Sequence, residues 1–118
     1  MLIIDYMITI ANNFYDISYL LYLYMNPLEI EKKLSLLKNN WKRVNDKIQI
    51  NIEFSNFNSA FDFMKVIAKE CDLLNHHPCW TNEYNKLEIT LFTHDKGTIT
   101  ELDLKLAQII DKRLIELK

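Results

Sequence analysis

Between Lys47 and Phe54 the chain alternates strictly, with Ile48, Ile50, Ile52 and Phe54 set against Lys47, Gln49, Asn51 and Glu53. Successive side chains of an extended strand point to opposite faces, so this run has one dry face and one wet face. A strand of that kind needs an apolar layer on one side only. The flanking segments supply it, because their apolar period lengthens to that of a helix. Upstream, Ile30, Leu34, Leu37 and Trp41 fall at i, i+4, i+7 and i+11, and downstream Phe57, Phe61, Met64, Ala68 and Cys71 form one stripe.

The punctuation between these runs sets the element order. Asn26, Pro27 and Glu29 occupy N-cap, N1 and N3 of a first helix. Asn45-Asp46 predicts a turn joining a short strand, Trp41 to Val44, to the alternating one. Asn56 or Asn58 caps a second helix that ends near Leu74, and residues 78–84 and 87–94 read as two strands around Asn85-Lys86. Thr100 and Asp103 stand at N-cap and N3 of a last helix, with Ile99 and Leu104 placed as a hydrophobic staple. Leu102, Leu106, Ile109, Ile110, Leu114 and Leu117 are expected on its inner side. The order α-β-β-α-β-β-α predicts an α+β fold: a four-stranded antiparallel sheet with three helices packed on one face. The sheet edges stay open, which favours a homo-oligomer.

At 118 residues and 49% hydrophobic content the chain suffices for one packed domain, and a single glycine with two prolines excludes linker-like or low-complexity architecture. The formal net charge of -2 offers no basic face, so direct nucleic-acid binding is not expected. Charge is uneven: residues 1–31 hold Asp5, Asp16, Glu29 and Glu31 and no Lys or Arg, while the remainder carries 14 bases and 12 acids. The first 25 residues are apolar and aromatic, yet they lack a basic signal-peptide start, and Asp5, Asn12, Asn13 and Asp16 interrupt them short of a membrane span. They read either as an extra packing element or as sequence upstream of a functional start at Met25. Cys71 and Cys79 are too few for a disulfide scaffold, so free thiols are expected; the expected location is the cytoplasm, and the nucleus as well.

All three histidines, His76, His77 and His94, fall in or beside the predicted hairpin. With Asn85-Lys86 as a two-residue turn, His77 lies opposite His94, and a one-residue slip puts His76 there instead. Imidazole titrates near neutrality, at about 6.5, and so can give and take protons in one site. A single histidine would more simply be a satisfied loop residue; three converging at one hairpin end point to acid-base chemistry. Metal ligation is disfavoured by the absence of any Cys-x-x-Cys or His-Glu-x-x-His spacing and by the place of Cys71 in an apolar stripe. A Cys79–His77 nucleophilic pair shares a strand face but has no evident orienting acid. Gly97, the sole glycine, suits a positive-φ turn and also lets a flat ligand approach the backbone.

The stretch from Asp72 through Asn75-His76-His77-Pro78-Cys79-Trp80, then Tyr84-Asn85-Lys86, Thr93-His94-Asp95, Gly97 and Asp103, closely resembles the pterin-4a-carbinolamine dehydratases, known also as dimerisation cofactors of a homeodomain transcription factor. The resemblance spans about residues 26–118, with residues 1–25 outside it as an N-terminal extension. It implies dehydration of 4a-hydroxytetrahydropterin to quinonoid dihydropterin in tetrahydrobiopterin recycling, with no metal or bound cofactor, by a homodimer or dimer of dimers. It implies that His76 and His94 are the acid-base pair and that His77 orients the pterin. Asn75, Thr93 and Asp95 would border the ring, Trp80 would wall the pocket, and Asp72 would orient a histidine. Asp103 fits the motif as well, although its capping position accounts for it without catalysis. A non-enzymatic role, binding a partner's helical dimerisation segment, is the alternative that the same resemblance carries. Thr98 stands where many relatives have a second glycine, and Phe92 replaces a smaller residue.

Overall fold

The computed structural model describes residues 27–117. The chain divides into two compact units, residues 1–33 and 34–118. The readings of the first 25 residues and of the Asn26 cap lie outside the described residues. Helix α1 covers residues 27–35, and a Glu29–Lys33 ion pair of 3.3 Å spans one of its turns. It stops short of Leu37 and Trp41, which were expected on its apolar face. Asn39 and Asn40, at φ 63° and 61°, put two consecutive residues in the left-handed region, so the helix cannot run on to Trp41.

Strands β1 (Lys42–Val44), β2 (Lys47–Glu53), β3 (Cys79–Glu83) and β4 (Lys86–Leu91) form an antiparallel sheet in the order β1-β2-β4-β3. Helices α2 (Phe57–Leu74) and α3 (Glu101–Glu116) complete the expected α-β-β-α-β-β-α fold of three helices and four strands. Alternation along β2 and β4 puts Ile48, Ile50, Leu87, Ile89 and Leu91 in the core. Ala60, Phe63, Ile67 and Cys71 of α2 and Leu104, Leu106, Ala107, Ile110 and Leu114 of α3 supply the helical side of that core. Arg113 Nη2 donates to Glu70 Oε1 at 2.6 Å and clips the two helices together.

The second helix is capped by Asn56, whose Oδ1 accepts the Ser59 N–H at 2.8 Å, and ends at Asn75 in the left-handed conformation. Its buried face includes Cys71 as expected but is otherwise turned by one position from the predicted stripe. Ala60, Phe63 and Ile67 point inward, while Phe57 and Phe61 stack on each other at 5.8 Å and are each 43% exposed. The last helix likewise leaves Leu102 and Leu117 exposed and turns Leu104 and Ala107 inward.

Val44 pairs with Lys47 across the expected Asn45-Asp46 turn. The other hairpin departs from expectation: Glu83 pairs with Lys86, so its two-residue turn is Tyr84-Asn85 rather than Asn85-Lys86. Two physical causes favour this register. It faces Glu83 with a lysine, whereas the predicted one would set Glu83 against Glu88. It also lets Asn85 grip the end of β2, its Nδ2 donating to the Phe54 carbonyl at 2.8 Å while its own carbonyl accepts the Phe54 N–H at 2.8 Å. Tyr84 takes a positive φ of 52° in this turn and is exposed. β3 begins after His76 and His77 and β4 ends before His94, so neither of the first two is paired across a ladder with the third.

Candidate functional site

The left-handed Asn75 turns the chain sharply as it leaves α2, and the backbone N–H groups of Asn75 and His76 satisfy the last carbonyls of that helix. His76 is thereby delivered inward, at 9% exposed, while His77 stays outside. Pro78, which lacks a backbone donor, precedes the first ladder residue, Cys79.

Asp103 meets His76 from the first turn of α3. Its side chain is 0% exposed, and its Oδ1 lies 2.5 Å from His76 Nε2. Oδ2 of the same carboxylate accepts the Thr100 backbone N–H at 2.8 Å and the Thr93 hydroxyl at 2.7 Å. Thr100 Oγ1 is 2.7 Å from Thr93 Oγ1, and since Thr93 already donates to Asp103, Thr100 is the donor of that bond. The carboxylate therefore gathers donors, with Nε2–H of His76 among them. This fixes the ring's orientation. Asp103 thus acts both as the N3 member of the α3 cap and as the partner of His76. Reading it as a cap alone missed the second role; its place in the family motif was the signal for it.

The other predicted residues fall into separate contacts. His77 Nε2 lies 2.9 Å from Asp72 Oδ1, and both side chains are exposed, so this pair orients an imidazole without burying a charge. His94 is exposed at the head of a tight loop in which Thr93 pairs with Thr98 and the Thr93 carbonyl accepts the N–H groups of Lys96 and Gly97. Gly97 adopts φ +67° with open space where a Cβ would stand, so backbone conformation and not crowding selects the glycine. The His94 ring stands edge-on to Phe92 at 5.0 Å and 90°. Asp95 and Asn75 are exposed, and half-buried Trp80 sits on β3 opposite Ile89.

Among the described residues no hydrogen bond joins two histidines; His76 and the Thr93–His94 segment are connected through Asp103. The hollow of about 350 Å³ lined by Asn51, Thr81, Glu83 and Glu88, and that of about 490 Å³ lined by Phe54, Phe63, Val66 and Arg113, hold none of these residues. Burial pushes the Cys71 thiol up to about 11, with the neighbouring Asp72 charge adding to it, so Cys71 is a packed thiol and not a nucleophile. Cys79 is exposed, and both thiols are free. No helix among the described residues is long and apolar enough to cross a membrane.

Fold and site together define a small α+β protein whose ionisable groups gather where α2 hands over to β3 and where β4 hands over to α3. The pterin 4 alpha carbinolamine dehydratase family matches residues 24–113, and the chain belongs to that family. Relatives named for pterin-4-alpha-carbinolamine dehydratase in Burkholderia vietnamiensis (strain G4 / LMG 22486) and Burkholderia pseudomallei (strain 1710b) are each 48% identical over 67 residues, 57% of this chain. Those matches span 66% of the relatives' own length. The crystal structure of a transcriptional coactivator/pterin dehydratase from Brucella melitensis has a TM-score of 0.68 and 36% identity, covering 72% of this chain and 92% of that one.

Proposed function

We propose that this chain dehydrates a 4a-hydroxytetrahydropterin to the quinonoid dihydropterin and water, serving pterin recycling by histidine acid-base catalysis. The observation that carries the proposal is the buried His76–Asp103 contact, built in a family member beside the segment that bears His94. Expelling the hydroxyl breaks the C4a–O bond, which needs a proton on the departing oxygen. Loss of the N–H proton from the adjacent ring nitrogen then completes the C=N bond. Each transfer suits a neutral-range imidazole, and one positioned acid or base typically contributes about 10²–10⁴-fold. His76 and His94 take these two roles, and His77, steadied by Asp72, orients the pterin. Asn75 and Asp95 border the ring and Trp80 walls it. The Thr93 hydroxyl is committed to Asp103, so its part is to hold that carboxylate.

The test follows dehydration of enzymatically generated 4a-hydroxytetrahydropterin by ultraviolet absorbance, for the parent and for His94→Ala. Acceleration by the parent, lost in a folded His94→Ala protein, is expected; equal rates would overturn the assignment.

A second reading is favoured by the exposed Phe57–Phe61 stack on α2 and by the coactivator description of the Brucella relative. In it the chain binds a helical partner through α2, as a homodimer or dimer of dimers. Such binding should survive removal of the histidines and fail in Phe57→Ser/Phe61→Ser.

A further inference from the structure

Among the described residues the His94 side chain makes no hydrogen bond, in contrast to His76 and His77, which each face a carboxylate. Its recorded side-chain contact is the edge-on packing against Phe92. Phe92 and His94 flank Thr93, whose hydroxyl donates to Asp103, and their two rings meet where β4 gives way to the loop. The Phe92 ring is held in its turn. Continuing the β2–β4 register one step past Ile48–Leu91 sets Phe92 opposite Lys47, whose Nζ lies 5.1 Å from the ring centroid. An ammonium over an aromatic face is attracted by the ring quadrupole, and the face it seeks is thereby fixed in orientation. Lys47, Phe92 and His94 form a row in which each member limits the next.

We infer that Phe92 is a positioning residue for His94, acting through ring packing where a carboxylate acts for the other two histidines, and that Lys47 steadies it. The inference rests on the proposed catalytic role of His94. It also accounts for a large aromatic side chain at a position that alternation places outside the core, between the wet Glu88–Thr90 side of β4 and the loop.

The experiment compares the parent with Phe92→Leu, Phe92→Tyr and Lys47→Met in two measurements: steady-state dehydration, and the proton spectrum of the His94 imidazole. Phe92→Leu should lower kcat about 10-fold or more with little change in KM, as expected when a reacting group loses its orientation. The His94 ring protons should lose the ring-current displacement that Phe92 imposes. Phe92→Tyr keeps the ring and should recover most of both effects, and Lys47→Met should fall between. Parent-like kcat in Phe92→Leu, or His94 resonances that do not move, overturns the inference while leaving the dehydratase reading intact. Absence of turnover by the parent overturns that reading and the catalytic part of the inference with it. If Phe92→Leu does not fold, the intermediate loss in Lys47→Met and the recovery in Phe92→Tyr decide the matter.

Discussion

His76 Nε2 and Asp103 Oδ1 lie 2.5 Å apart across 27 residues of sequence, both away from solvent. The contact joins the exit of one helix to the entry of the next. Its carboxylate is further held by the Thr100 amide and the Thr93 hydroxyl, so the imidazole is oriented by a group that itself cannot turn.

Replacing Asp103 tests that arrangement. Asp103→Ala strips the acceptor from three buried or half-buried donors, and the expected loss is on the order of 3–5 kcal/mol in urea unfolding. Asp103→Asn keeps the shape but removes the charge and presents a donor to one of these groups, so the loss should be smaller while turnover still falls about 10²-fold. Parent-like turnover in a folded Asp103→Asn protein would contradict the role.

Cys71 gives a pH prediction with a definite sign. Its thiol ordinarily ionises near 9.0 and is pushed up to about 11 in the fold by burial. Between those values the unfolded chain has lost the proton that the folded chain keeps, so stability falls as pH rises through this window. The component lost is on the order of 2–3 kcal/mol. Cys71→Ala should show a shallower decline in denaturation midpoint over the same range. In the folded parent at pH 8, thiol reagents should modify Cys79 alone.

Asp111 supplies a prediction away from the histidines. Nearly buried, it accepts the Lys38 N–H at 2.7 Å, the Asn39 amide at 3.0 Å and the Trp41 indole N–H at 2.8 Å, tying the segment before β1 to α3. Asp111→Ala should cost about 2–4 kcal/mol, from several donors left without an acceptor. Trp41 emission should shift to the red, with the activity of the folded fraction retained.

The element order was legible because β2 alternates without a fault and because Asn45-Asp46, Asn56 and Thr100 punctuate the chain by local chemistry alone. Two things were not. The β3–β4 register is accompanied by Asn85 reaching Phe54 just past the end of β2, a contact no local turn rule contains. The α2 face was misjudged because Phe57 and Phe61 have the size of core residues, while the space beneath the helix is filled by Phe63 and by Phe54 at 5.3 Å. In the site, the histidines were visible by type and clustering, and Asp72 only through the family resemblance. The double duty of Asp103 was hidden because a cap already explains an aspartate at that position.

That double duty also governs how the protein breathes. The Thr100 amide and the His76 imidazole share one carboxylate, so the first turn of α3 cannot fray without releasing the ring. Helix ends open far more often than whole domains unfold. Here such an opening would also release the imidazole to which we assign proton transfer, and amide exchange at the start of α3 would time how long that ring stays in place.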